Sequence, residues 1–446
     1  MYFWRIMCAR TQAILIMQNS HNIPAPALLR RIGLTPGKKS LVFFISLVAI
    51  TIPMEHAYSS FAVICFVLFS LLSARRSTFS FTTAMALPMA LYVLMALSLL
   101  WTHDLKVSAT ALAKESALLF LPLAFCFNRN LTHRSLTAVL KNFSLAMCLF
   151  GIYLVGRALV RYVLVGNPAV FFYNELASEK ISIYLATFFS LALFFFLVQK
   201  KKTYWGYVAT IFMLCMVMLL SKKSIILADV AIICLYYLFY SGLLKKTRWM
   251  LIGLFCVGGA GFIFFGNLTE GWQFLNKPED GKHIVSVQEA LSKPVFDTTD
   301  YFDGVSFRAY RVRVLAELSR EGSFALTGSG LNTSGIQVTQ IAHKHNTLHR
   351  GWEIVPYNEL NFHNQFMEAY ADLGIVGLVL VVAMVLYSLV RAVKTKYFIH
   401  IAFAILMISL FLTESFLWRQ KGVVFFTLFY CLFNNLKPSG LIKYSK

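Results

Sequence analysis

Runs of mainly apolar residues occupy most of this 446-residue chain, at about 40–55, 57–74, 80–101, 113–128, 137–158, 182–198, 203–220, 224–243 and 248–265, then at 372–394, 397–415 and 421–436. Each is of spanning or near-spanning length for a bilayer, where the backbone must satisfy its own hydrogen bonds. The pattern predicts an all-α polytopic membrane protein with about 12 transmembrane helices. A composition of 58% hydrophobic and 14% charged residues excludes the two or three soluble domains that length alone would suggest.

Charge gives the orientation. Alternate connections hold Arg75-Arg76; Arg129, Arg134 and Lys141; Lys200-Lys201-Lys202; Lys245, Lys246 and Arg248; and Arg391, Lys394 and Lys396. By the positive-inside rule these face the cytoplasm. Residues 1–39, with no signal-peptide cleavage pattern, are then a cytoplasmic tail, 40–265 carry spans one to nine, 266–371 form an outward loop, 372–436 carry spans ten to twelve, and 437–446 return to the cytoplasm. The net charge of +21 is therefore topology information, and it implies a lipid bilayer partner and no nucleic acid. Seven of the eight cysteines lie in spans and one in the tail, so no disulfide framework is expected in the loop.

Two outer connections break the charge rule. Ser221-Lys222-Lys223-Ser224 places two cations outside, and Arg157, Arg161 and Lys180 are accompanied by Glu175 and Glu179. Such cations either meet lipid phosphates and internal acids such as Asp229, or bind an anionic ligand. Phe188-Phe189 and Phe194-Phe195-Phe196 suit either an isoprenoid groove or ordinary helix contacts.

The outward loop reads as irregular through Asp303, with Asp297, Asp300 and Asp303 in a solvated acidic turn. Residues 306–318 then have helical amphipathicity, Phe307, Tyr310, Val314 and Leu318 on one side and Arg308 and Arg311 on another. Leu326-Thr327-Gly328-Ser329-Gly330 reads as a flexible turn. His345 and His349 stand at i,i+4 without the acid that a zinc hydrolase places after the first histidine, so no metal site is expected. If 363–377 is one continuous helix, His363, Met367, Tyr370, Gly374 and Gly377 share a narrow arc, with an imidazole at the polar end and two notches for helix packing at the membrane end. That arc is either a packing groove with an incidental histidine or a catalytic face.

His363-Asn364, nine residues, then Gly374-x-x-Gly377 resembles the histidine motif of the O-antigen ligase and polymerase superfamily, at the end of the large periplasmic loop. Ser306-x-Arg308, the amphipathic helix and Gly328-x-Gly330 are similar to that family's loop arginine segment. Ser221–Leu227 resembles its short turn before a span, with Lys223 where an arginine is usual. Lysine keeps the charge and loses the bidentate fork.

The resemblance implies a glycosyltransferase in the bacterial inner membrane that moves a glycan from a polyprenyl (undecaprenyl) diphosphate carrier to an acceptor sugar hydroxyl, most naturally on lipid A-core oligosaccharide. Polymerases and protein O-oligosaccharyltransferases share the motifs. No cofactor is called for, so protein cations must meet the charge on the departing diphosphate: Arg308 first, then Lys223, with Arg311 in reserve. At an effective dielectric near 20, one cation at about 4 Å is worth roughly 4 kcal/mol. His363 is the expected base for the acceptor hydroxyl, with inversion at the anomeric carbon, and His345, His349 and Tyr357 are expected on the acceptor side. The rival of another class, a secondary transporter, would show internal repeats and paired buried ionisable groups, and Asp229 is the only strong candidate for a buried acid.

Overall fold

A helix stands in each of the twelve apolar runs of the computed structural model, which describes residues 37–74, 79–128, 131–177, 182–199, 202–220, 223–265, 282–320, 324–348 and 356–436. The apolar part comprises α1 (Lys38–Thr51), α2 (His56–Leu72), α3 (Thr83–Leu97), α4 (Leu105–Lys114), α5 (Ala117–Cys126), α6 (His133–Val165), α7 (Ser182–Leu197), α8 (Tyr204–Leu220), α9 (Lys223–Phe239) and α10 (Lys245–Phe265). The loop adds α11 (Val287–Ser292), α12 (Gly304–Leu318), α13 (Phe324–Thr327) and α14 (Ser334–His345), and the chain continues with α15 (Gln365–Thr395), α16 (Phe398–Thr413) and α17 (Gln420–Asn434). Among the described residues four stretches, Thr83–Leu100, Leu105–Cys126, His133–Val165 and Gln365–Thr395, are long and apolar enough to cross a membrane, and α2, α7, α8 and α16 are shorter apolar helices. The tails, Arg75, Arg76, Arg129, Glu179, Lys180, Lys200, Lys201, Lys222, residues 266–281 and His349 lie outside the described residues.

Every residue of α7 is buried, as expected for a helix that is apolar all round. Its phenylalanines are core contacts, with Phe188 4.7 Å from Phe425 between ring centroids. Two outer cations of the fifth connection find partners within the chain: Arg161 pairs with Glu175 at 2.5 Å, and Arg157 donates to the carbonyls of Glu175 and Leu176. Asp229 accepts from Ser190 Oγ at 2.6 Å.

The loop has its own apolar core, in which Phe307, Tyr310, Val314 and Leu318 of α12 meet Phe296, Phe302, Tyr357 and Phe362. The expected amphipathic side is therefore the buried one. The segment before Asp303 is more ordered than its composition suggests. Ser286 and Glu289 form a capping box on α11, and His283–Ile284 pairs in parallel with Asp300–Tyr301. The acidic spacing is only in part a solvated turn: Asp297 and Asp303 are exposed, Asp303 capping α12 through Val305 N and Ser306 N, whereas Asp300 is buried against Lys293 at 2.6 Å.

Candidate active site

Asn364 begins α15. Its Oδ1 accepts from Phe366 N and Met367 N at 2.9 and 3.0 Å, and its Nδ2 donates to Leu412 O at 3.1 Å. His363 consequently precedes the helix, in the left-handed region with φ 47°. At Gly374 the helix breaks, with φ 66° and ψ −162°, backbone that is essentially glycine-only. The continuous helical arc from His363 to Gly377 is thus corrected at both ends.

The two glycines serve this break rather than a second membrane helix. A Cβ on Gly374 would lie 2.1 Å from Leu326 O, and one on Gly377 would lie 2.4 Å from Leu373 Cβ in the same helix. Gly374 therefore admits the backbone of α13 and its following turn. Ser329 N and Gly330 N donate to Ala371 O and Asp372 O, both at 2.9 Å. Gly328 and Gly330 have φ of 65° and 95°, and a Cβ on Gly330 would meet Thr102 Cα at 2.6 Å. The segment expected to be a flexible turn is a wedge between α15 and the α3–α4 connection. Trp101 Nε1 donating to Thr327 O at 3.0 Å and Ser108 Oγ donating to Leu331 O at 2.6 Å hold its other side.

With α15 fixed against the loop, three polar side chains come to one connection. His363 Nδ1 lies 3.1 Å from Glu414 Oε2, beyond the end of α16, and the Phe307 ring stands edge-on to the imidazole at 5.8 Å. Arg308, on α12, donates through Nη2 to Thr413 O at 2.8 Å and through Nη1 to Gly304 O at 2.5 Å. Its buried Nε has no hydrogen-bond partner among the described residues, so the guanidinium keeps donor capacity. Burial pushes the Arg308 pKa below its ordinary value, and the Glu414 and Asp303 carboxylates partly offset this.

The other expected residues have different surroundings. Arg311 is fully buried, its Nη2 donating to Tyr357 O at 2.7 Å and to Leu360 O, with its guanidinium over the Phe307 and Phe362 rings. Burial pushes its pKa down to about 10, and it braces the loop core. His345 is buried among Tyr310, Arg313 and Glu317, and burial lowers its pKa. Tyr357 turns its hydroxyl inward to accept from Phe302 N at 2.9 Å. Both lie in the loop core. Lys223 is the half-buried first residue of α9, a helix that packs against α16, the element leading to Glu414.

Glu414 is absent from the sequence-based reading, although an acid near the end of the apolar run 397–415 was its signal. Asp229 is not the only buried acid: among the described residues Asp300, Glu115, Glu368 and Asp372 are buried too. Glu368 Oε2 accepts from Phe362 N at 3.0 Å and Ser415 Oγ at 2.8 Å, and so ties together the residues flanking the His363–Glu414 pair. Among the described residues no three His, Cys, Asp or Glu side chains converge as a metal shell.

Apolar helices that carry, beside the membrane-length α15, a loop-borne guanidinium, an imidazole and a carboxylate define a multi-pass membrane protein with a polar site at the loop end of its bundle. Residues 208–382 match the family model described as O-antigen ligase, and over that stretch the chain is similar to the O-antigen ligase superfamily. The match includes Lys223, Arg308, His363 and the glycine break, and ends before Glu414. No curated protein matches the chain.

Proposed function

We propose that the protein transfers a glycan from a polyprenyl-diphosphate carrier to an acceptor sugar hydroxyl at the periplasmic face of the bacterial inner membrane, with lipid A-core oligosaccharide as the acceptor. In this reading the twelve helices are all spans, the termini are cytoplasmic and residues 266–371 form the periplasmic loop. The observation that carries it is the meeting of Arg308 with the His363–Glu414 pair at one short connection, Thr413-Glu414.

In the tautomer with its proton on Nδ1, His363 donates to Glu414, which orients the ring and leaves Nε2 to take the acceptor's hydroxyl proton. As that proton leaves, the imidazolium is stabilised by the adjacent carboxylate. The acceptor oxygen then attacks the anomeric carbon from the side opposite the diphosphate, so a single displacement inverts configuration. Arg308 meets the negative charge growing on the leaving diphosphate with its unspent donors, and Lys223 adds a second charge in the dry setting where such contacts count most. Arg311 has no direct part. It holds the Tyr357–Leu360 backbone that leads to His363.

The test supplies purified protein in nanodiscs with a polyprenyl-diphosphate glycan, offers lipid A-core, free glycan and peptide acceptors, and determines the product's anomeric configuration. Inverted product on lipid A-core supports the reading. Glycan extension identifies a polymerase, peptide modification a protein glycosylating enzyme, and retained configuration excludes single displacement.

A further inference from the structure

Between the first turns of α15, the break between α4 and α5 and the α16–α17 connection lies a cavity of about 440 Å³. This is within the range of small-molecule sites, about 300–1,000 Å³. We propose that it is a subsite for a phosphorylated sugar, with the phosphate held at a basic mouth and the sugar hydroxyls on a carboxyl floor. The proposal rests on the glycan-transfer reading and names a substrate group that reading leaves open.

The floor is made by Glu115, Glu368 and Asp372, which are 5%, 6% and 4% exposed. Among the described residues Glu115 Oε2 and Asp372 Oδ1 are buried without a hydrogen-bond partner. Buried polar atoms left unpaired are costly, and a group of them facing one cavity asks for a donor-bearing ligand. A carboxylate accepts and a carboxyl that keeps its proton also donates, so the matching groups are hydroxyls, which do both, arrayed around a small ring. The carboxyls do not converge as a metal shell, which leaves an organic polyol as the better fit. Trp418 lines one wall, and its Nε1 donates to Asn332 Oδ1, fixing the indole as a flat apolar surface beside the acceptors.

The mouth has the opposite sign. Lys114, Arg419 and His56 line the cavity and are exposed, and the charges of Lys421, Arg419 and Lys114 all bear on His56. Clustered basic groups of this kind are stabilised by a phosphate, which accepts several charge-assisted hydrogen bonds at once. The floor also communicates with the reacting groups, because Glu368 bonds the residue before His363 and the residue after Glu414. A sugar held there would lie within one residue's reach of the proposed base. Two sources fit the chemistry: the sugar attached directly to the donor's diphosphate, and a phosphate-bearing sugar of the acceptor.

The test measures binding, in a background that cannot react, by isothermal titration calorimetry of His363→Ala protein in nanodiscs. One arm uses citronellyl-diphosphate N-acetylglucosamine as the donor probe. The other uses core oligosaccharide freed from lipid A, before and after chemical dephosphorylation. Lys114→Ala/Arg419→Ala, two exposed positions, is expected to weaken a phosphorylated probe by about tenfold or more, the loss of charge-assisted contacts. It should leave the dephosphorylated oligosaccharide unchanged. Glu115→Gln is expected to weaken binding whether or not phosphate is present. The arm that responds identifies the source, and Arg419→Gln alone replaces the double variant if that one is misfolded. Wild-type affinity of all these variants for both probes would overturn the subsite. The two readings fail separately: transfer without this binding pattern removes only the subsite, and the pattern without transfer by the unsubstituted protein removes only the transferase.

Discussion

Gly374→Ala should uncouple the loop from the membrane helices. The native backbone there, φ 66° and ψ −162°, is one that an alanine adopts only under strain of about 1–3 kcal/mol. The new Cβ would also sit 2.1 Å from Leu326 O and 2.7 Å from Thr327 N, so α13 has to move away as well. Retreat of α13 pulls on the turn bonded to Ala371 O and Asp372 O, with each of those two hydrogen bonds contributing about 0.5–1.5 kcal/mol. Together these give roughly 2–6 kcal/mol, a shift on the order of 10–10⁴-fold toward an undocked loop. The assay is hydrogen exchange by mass spectrometry of the protein in nanodiscs, read over peptides spanning 324–334 and 365–373, with glycan transfer measured in parallel. The account expects rapid exchange confined to these peptides and loss of transfer. Gly335→Ala, where an added Cβ meets nothing within 4 Å, should behave like wild type. Native exchange and full activity in Gly374→Ala would refute the wedge as the device that positions His363.

Glu414→Gln should retain the imidazole contact but weaken support for the protonated ring, lowering kcat by about 10-fold or more with little change in KM for the acceptor, whereas unchanged kcat would remove Glu414 from the mechanism. Arg311→Ala leaves two carbonyls and a space between Phe307 and Phe362, and should cost the loop about 3–5 kcal/mol, seen as a lowered loop unfolding transition by exchange. Arg311→Lys should restore the charge without the planar contact between the rings, and so rescue only part of that loss. Burial lowers the His345 pKa in the folded loop, so the unfolded loop protonates first. The contribution of neutral His345 is fully present above about pH 6.5 and is lost as pH falls toward the folded value, and exchange corrected for intrinsic rates should accelerate around α14 at pH 5.5 relative to 7.5. His345→Gln should remove that dependence.

The helices were legible because an apolar run in lipid has one way to satisfy its backbone, and the α12 face was legible because Phe307, Tyr310, Val314 and Leu318 repeat at helical spacing. Arg308 and His363 were singled out through short motifs whose spacing survives without any tertiary information. What the sequence concealed was where chain segments distant in number approach one another. Glu414 is 51 residues from His363, and nothing in local pattern says which acid an imidazole will face. Arg311 differs from Arg308 by less than a turn, yet one points into an aromatic core and the other to the end of α16. The Gly374 spacing suggested helix packing because periodicity arguments assume an unbroken helix, and the φ of a glycine is invisible in a sequence. Glu115 lies far in sequence from Glu368 and Asp372, and only the fold brings all three to one cavity.

The central claim, that protein cations and one imidazole carry out glycan transfer, is tested most directly by single-turnover transfer from polyprenyl-diphosphate glycan to lipid A-core in nanodiscs with excess chelator, comparing wild type with His363→Ala and Arg308→Ala. The account predicts undiminished wild-type turnover under chelator and a fall of about 10²–10⁴-fold in His363→Ala and at least about 10²-fold in Arg308→Ala, with both variants folded. Full transfer by either folded variant would contradict it.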